Sequence, residues 1–219
     1  MEAKSTVEKI IDCGIVAVVR SPEGSVLVDV AQALFEGGVE VVEITFTVPA
    51  AHRVLEAVRS ALGDKILLGA GTVLDPETAR VALLSGAEFI VAPTLNLKVI
   101  ELCKRYGKPV IPGAYTPTEI LTAWEAGADI VKVFPADVGG PTYLRAIRAP
   151  LPQVRLLPTG GVNLQTAADF LRAGACALGV GASLVEPKAI AERDFNRITS
   201  LAREYVRIVR QTRQELAGR

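Results

Sequence analysis

A short apolar run recurs eight times along this chain, at intervals of roughly 20–26 residues, and that spacing constrains the fold more than any other feature. The runs are "GIVAVV" from residue 14, "VEVVEIT" from 39, "KILLGAG" from 65, "AEFIVAP" from 87, "KPVIPGA" from 108, "ADIVKVF" from 128, "VRLLPTG" from 154 and "ACALGVG" from 175. Four of them, those beginning at 39, 87, 128 and 175, follow a helical ending and a glycine suited to a helix C-cap. Amphipathic stretches fill the gaps, among them 25–36, 76–86 and 166–174, with apolar residues recurring every three or four positions. Near-continuous apolar strands alternating with helices are the pattern of a parallel sheet covered on both faces. Eight such units in 219 residues predict an α/β chain folded as a (β/α)8 TIM barrel, with an open doubly wound sheet as the alternative. Segment 2–12 predicts an extra N-terminal helix across the bottom of the barrel. No linker or composition shift divides residues 1–219, so a single domain is expected.

Charge narrows the range of partners. Lysine plus arginine equals aspartate plus glutamate at 24 each, a formal net charge of zero. Binding to nucleic acid or to an anionic membrane needs a basic bias that this chain lacks. The arginines at 203, 207, 210 and 213 share one helix face and read as a solvated stripe. No apolar run approaches the ~18 residues of a membrane span, and the opening "MEAKSTVEKIIDCG" is too charged for a signal peptide. Cys13, Cys103 and Cys176 have neither metal-ligand nor CxxC spacing and read as buried apolar residues of a reducing compartment. The expectation is a cytoplasmic protein with no metal and no cofactor.

Barrels of this kind carry their chemistry at the C-terminal ends of the strands. Strand residues alternate between the two faces, so in "DIVKVF" Ile130, Lys132 and Phe134 point inward while Val131 and Val133 pack outward. Glu43 points inward with Val41 and Thr45. The third strand ends in small residues and Thr72; the seventh ends in Thr159, Gly160 and Gly161; the eighth ends in Gly179, Gly181 and Ser183. Glycine loops after the seventh and eighth strands are where many barrels seat a phosphate on backbone N–H groups, and Ser183 offers a further hydroxyl. Lys132 has two readings at this point. It reaches water along its own stem, or its apolar setting frees a neutral amine to attack a carbonyl. Glu43 has a structural reading too, as an ion-pair partner for Lys132 or Arg20, which would keep the lysine charged and inert.

The stretches "VEITFTVPAA", "GAGTVLDPE", "IVAPTLN", "KVFPADVGGP" and "PTGGVN" resemble, in order and over about residues 9–210, the motifs of the 2-keto-3-deoxy-6-phosphogluconate (KDPG) and 4-hydroxy-2-oxoglutarate (KHG) aldolases. The resemblance implies a metal-free class I aldolase on a (β/α)8 barrel, acting on a small keto acid (pyruvate plus an aldehyde) and assembling as a homotrimer. By that likeness Lys132 is the Schiff-base lysine and Glu43 the proton-transfer residue. Thr72 helps to hold the pyruvate half, Phe134 packs on it, and Thr159 influences stereochemistry. Gly160, Gly161, Gly181 and Ser183 match the phosphate region. Many members carry a carboxylate-binding arginine four residues after the glutamate, where this chain has Thr47. Arg20, at the end of the first strand, is the candidate replacement. The implied reaction is reversible cleavage of KDPG to pyruvate and glyceraldehyde 3-phosphate. The alternatives are KHG cleavage, cleavage of the galactonate-derived epimer, and a non-catalytic self-assembling scaffold.

Overall fold

The computed structural model describes residues 4–218. Helix α1 (Thr6–Cys13) precedes β1 (Ile15–Val19), and strands and helices then alternate: α2 (Leu27–Glu36), β2 (Val41–Thr45), α3 (Ala51–Leu62), β3 (Leu67–Gly71), α4 (Pro76–Leu84), β4 (Phe89–Val91), α5 (Leu97–Arg105). The second half runs β5 (Val110–Ile111), β6 (Gly113–Ala114), α6 (Pro117–Glu125), β7 (Val131–Val133), α7 (Gly140–Arg148), β8 (Leu156–Pro158), α8 (Ala167–Arg172), β9 (Leu178–Val180), α9 (Pro187–Ala191) and α10 (Phe195–Ala217). Every one of the eight apolar runs holds strand. The expected extra helix begins at Thr6, and residues 2 and 3 of the expected segment lie outside the described residues.

Local signals account for the boundaries. Ser5 and Glu8 form a reciprocal capping box at the start of α1, and Thr116 and Glu119 form another at α6; each such cap contributes about 1 kcal/mol. The glycine shared by the four repeated strand entries, at 38, 86, 127 and 174, has a positive φ of 88–100°, a turn that a side chain resists.

All strand pairs are parallel, forming a curled six-stranded sheet in the order β5-β4-β3-β2-β1-β9 and a three-stranded sheet β6-β7-β8. The fifth run, expected as one strand, is two short ones because Pro112 has no N–H to give to the ladder. Strand β7 bridges the break. The Asp129 N–H donates to the Val110 carbonyl at 3.1 Å, and the Lys132 N–H donates to the Pro112 carbonyl at 2.9 Å. On the other side Thr159 pairs with Gly179, and the Cys176 N–H donates to the Leu156 carbonyl at 2.9 Å.

Two apolar layers lie on either side of the strands. The inner one gathers Val16, Val41, Leu67, Phe89, Val91, Ile111, Ile130, Leu157 and Ala177, and Ile10 of α1 joins it from below. The outer one packs alternate strand residues, Val131 and Val133 among them, against the helices. Phe89 is wholly buried and fills the space left by Gly69; burying such a ring is worth about 2–3 kcal/mol. The arginine stripe is only partly a solvated face. Arg203, Arg207 and Arg210 are exposed, but Arg213 donates to the carbonyls of Ile11, Asp12 and Cys176, fastening α10 to the end of α1. Long-range carbonyl acceptors leave no trace in a sequence pattern.

Candidate active site

Inward alternation carries two charged side chains into the apolar interior. Glu43 of β2 is 1 % exposed and Lys132 of β7 is 5 % exposed. Among the described residues neither forms an ion pair, and Glu43 Oε1 is buried with no hydrogen-bond partner. The alternative reading of Glu43 as an ion-pair partner of Lys132 or Arg20 therefore finds no such contact among the described residues. Burial pushes the Glu43 carboxyl up, and the charges of Lys132 and then Arg20 pull it part of the way back. Leaving a buried acceptor unsatisfied costs about 1–3 kcal/mol, and such costs are concentrated where a group must stay free to exchange a proton.

Phe134 stands at the mouth with its ring centroid 5.3 Å from Lys132 Nζ. At 37 % exposure it forms the boundary between the lysine and a cleft of about 620 Å³. That cleft is walled by Arg20 and Ser21 after β1, Thr159, Gly160 and Gly161 after β8, and Gly181 and Ser183 after β9. Among the wall residues Arg20 is the one cation. Of the candidate residues, Glu43 and Lys132 are buried, and the rest line the cleft, Phe134 and Thr159 next to the interior, except Thr72, which is half-buried and does not line that cleft. Thr159 is 8 % exposed and its Oγ1, like Glu43 Oε1, has no partner. Thr72 follows β3 with φ 56°, a left-handed conformation unusual for a β-branched residue. It costs of order 1–3 kcal/mol and is found where a side chain must be aimed.

The glycine loops are held ready by their own hydrogen bonds. Thr166 Oγ1 donates to the Gly161 carbonyl at 2.7 Å, and the Asn163 side chain accepts from the N–H groups of Gln165 and Thr166. Ser183 Oγ donates to the Val162 carbonyl at 2.6 Å, tying one loop to the other. Its hydroxyl proton is therefore engaged by the neighbouring loop in this structure. Among the described residues no backbone carbonyl accepts from the N–H groups of Gly161, Ala182 or Ser183. Ser21 and Asn163 also line the cleft, and neither carries a pattern that would single it out in sequence. Thr47 is exposed, and its hydroxyl lies 2.8 Å from that of buried Thr45.

Among the described residues no group of three or more His, Cys, Asp or Glu is placed to hold a metal ion. Cys103 is buried, and burial raises its thiol to about 12. Among the described residues no helix is long and apolar enough to cross a membrane.

Set beside known proteins, a chain with this α/β fold and this arrangement of strand ends is an aldolase, and so a lyase. The family model for KDPG and KHG aldolase matches residues 7–201, and the chain belongs to that family. It is 39 % identical to the 2-dehydro-3-deoxy-phosphogluconate aldolase of Treponema pallidum over 186 residues, 83 % of this chain and 87 % of that one. The KDPG aldolase of Legionella pneumophila, solved with pyruvate captured as a covalent carbinolamine intermediate, has a TM-score of 0.85 and 29 % identity. The likeness covers 91 % of this chain and 97 % of that one. A cube-shaped cage designed by fusing symmetric oligomeric domains has a TM-score of 0.87 and 32 % identity over 94 % of this chain and 75 % of that one.

Proposed function

We propose that this chain is a class I aldolase that reversibly cleaves KDPG to pyruvate and glyceraldehyde 3-phosphate, with Lys132 as the Schiff-base amine. The observation that carries the reading is the burial of Lys132 and Glu43 on inward-facing strand positions, with the Glu43 carboxyl unpartnered. An inert protein gains nothing from two such costs, which disfavours the scaffold. The capture of pyruvate as a carbinolamine by the Legionella relative supports the chemistry.

Lys132 Nζ attacks the C2 carbonyl to give a carbinolamine, and loss of water gives a protonated imine. Glu43, directly or through a water, takes the C4 hydroxyl proton as the bond between C3 and C4 breaks. The electron pair of that bond moves into the imine, leaving an enamine, and the C4 oxygen becomes the aldehyde. Glu43 returns its proton to C3, and water hydrolyses the imine to pyruvate and the free amine. Thr72 and Arg20 hold the carboxylate, Phe134 packs on the pyruvyl group, and Thr159 faces the C4 hydroxyl. The N–H groups at Gly160, Gly161, Gly181 and Ser183 take the phosphate. Strand pairing through Pro112 and through Thr159–Gly179 supports closure of the two sheets into one (β/α)8 barrel forming a single domain over 1–219. The likeness to a cage of symmetric oligomeric domains supports an oligomer, for which the homotrimer that the family resemblance implies is our reading, and three unbridged cysteines suit the cytoplasm.

Pyruvate release from KDPG and from 4-hydroxy-2-oxoglutarate, measured side by side, tests the substrate. A higher kcat/KM for KDPG is expected, because the phosphate adds binding energy remote from the reacting bond. Preference for the phosphate-free acid would move the reading to the KHG activity that the family also contains; no pyruvate from either would refute it. A Cβ at Gly181 meets nothing within 4 Å, so Gly181→Asp should fold while placing a negative charge in the phosphate seat. The expected result is a rise of about tenfold or more in KM for KDPG, with 4-hydroxy-2-oxoglutarate cleavage little changed. Arg20→Ala should instead raise KM for both substrates about tenfold or more, since a charge-assisted hydrogen bond contributes ~1.5–3 kcal/mol. Unchanged kinetics would reject Arg20 as the carboxylate partner.

A further inference from the structure

Two buried side-chain polar atoms lack any hydrogen-bond partner among the described residues, Glu43 Oε1 and Thr159 Oγ1. Each lies against a glycine of the neighbouring strand. A Cβ on Gly71 of β3 would lie 2.6 Å from Glu43 Cγ and closer still to the carboxyl carbon and Oε1. A Cβ on Gly179 of β9 would lie 3.1 Å from Thr159 Cβ and closer to its hydroxyl. Strand register explains both approaches. Gly71 pairs with Thr45, two residues beyond Glu43 on the same inward face, and Gly179 pairs directly with Thr159.

Conformation does not require glycine at either position. Neither has a positive φ, so an alanine would bring no backbone strain there, and the missing side chain itself is what the site uses. Gly69, one step lower on the same face of β3, shows the ordinary use of such a gap, since its missing Cβ is replaced by the apolar ring of Phe89. At Gly71 and Gly179 the atom that comes nearest in the gap is a polar one that gains no hydrogen bond there, with Leu157 Cδ2 beside it at Gly179, 3.0 Å from where a Cβ would stand. Packing alone would favour an apolar neighbour at both.

We propose that Gly71 and Gly179 are positioning residues, whose bare Cα atoms form the seats that hold the Glu43 carboxyl and the Thr159 hydroxyl in their working rotamers. The seat admits the carboxyl and offers it no donor, so its oxygen stays free to take the C4 hydroxyl proton and then return it to C3. This rests on the proposed roles of Glu43 and Thr159. It adds that the second glycine of "GAGT", Gly71, serves the glutamate of another strand, rather than only leaving room for substrate.

A thermodynamic cycle with kinetics tests it. Gly71→Ala should lower kcat about 100-fold and shift the limb of the pH–rate profile that Glu43 sets. Formation of the borohydride-reducible pyruvate adduct should persist. Its melting temperature should fall by roughly 4 °C or more, and less than half of that loss should remain when the same change is made in Glu43→Ala protein, where the seat is vacant. If Gly71→Ala alone does not fold, Gly71→Ala/Glu43→Ala compared with Glu43→Ala still should. An equal thermal loss in both backgrounds, or an unmoved pH profile, overturns the proposal. Full turnover by Glu43→Gln would instead refute the role of Glu43 while leaving the seat intact, so the two failures are distinct. Gly179→Ala should change the preference between substrates epimeric at C4 about tenfold; an unchanged preference removes Gly179 from the proposal.

Discussion

Lys132→Met should lose at least about 10⁴-fold in pyruvate release while folding as well as the parent chain. The kinetic half follows from the chemistry, because without Nζ no imine forms and the C3–C4 electron pair has nowhere to go. The stability half follows from the setting. The lysine is 5 % exposed, forms no ion pair among the described residues, and has the Phe134 ring 5.3 Å from its Nζ. A cation over a ring returns only about 1–2 kcal/mol, whereas burial of an unpaired charge is expensive. Methionine keeps the volume and removes the charge, so the melting temperature should stay level or rise. Steady-state pyruvate release and a thermal melt on the same preparation check both halves. Residual turnover within a hundredfold of the parent would mean that another amine, or no amine, does the work.

Glu43→Gln is the second large effect, expected at about 10²–10⁴-fold in kcat. The pyruvate adduct on Lys132 should still form in this variant, because the amide removes proton transfer and leaves the amine in place. Its stability should depend on pH with a definite sign. Burial holds the Glu43 carboxyl above its ordinary value of 4.5 in the folded chain, despite the opposing charges of Lys132 and Arg20. The native state therefore binds this proton more tightly than the unfolded chain does. As pH rises from the unfolded value through the folded one, ionisation of Glu43 subtracts stability, and above the folded value the loss is complete. The amide has no such loss. The melting temperature of the variant relative to the parent should climb with pH from about 4.5 and then level off. A difference that shrinks as pH rises would contradict a raised Glu43.

Much of this site could be read before any coordinates. A parallel sheet covered on both faces makes its strands continuous apolar runs, so all eight were legible, and alternation then placed Lys132 and Glu43 inward while Val131 and Val133 packed outward. Charged residues on the inward face of an apolar strand stand out because ordinary packing never asks for them. What stayed hidden depends on partners distant in sequence. Nothing near Glu43 tells whether its carboxyl finds a counter-ion, and the structure leaves it alone beside Gly71. Arg213 looked like one of four solvated arginines until three carbonyls from two other segments met it. Ser183 could be placed at the cleft, but not its engagement with Val162 across a neighbouring loop. The split of the fifth strand was written in Pro112, a proline within an apolar run.

The Schiff base on Lys132 is the claim on which the rest depends, and one chemical trap addresses it directly. Folded protein is incubated with pyruvate, reduced with borohydride, digested, and mapped by mass spectrometry. A single reduced adduct, on the peptide containing "DIVKVFPAD" and assigned to Lys132, is the predicted result. An adduct confined to another of the lysines, or none at all from protein shown to be folded, would contradict it.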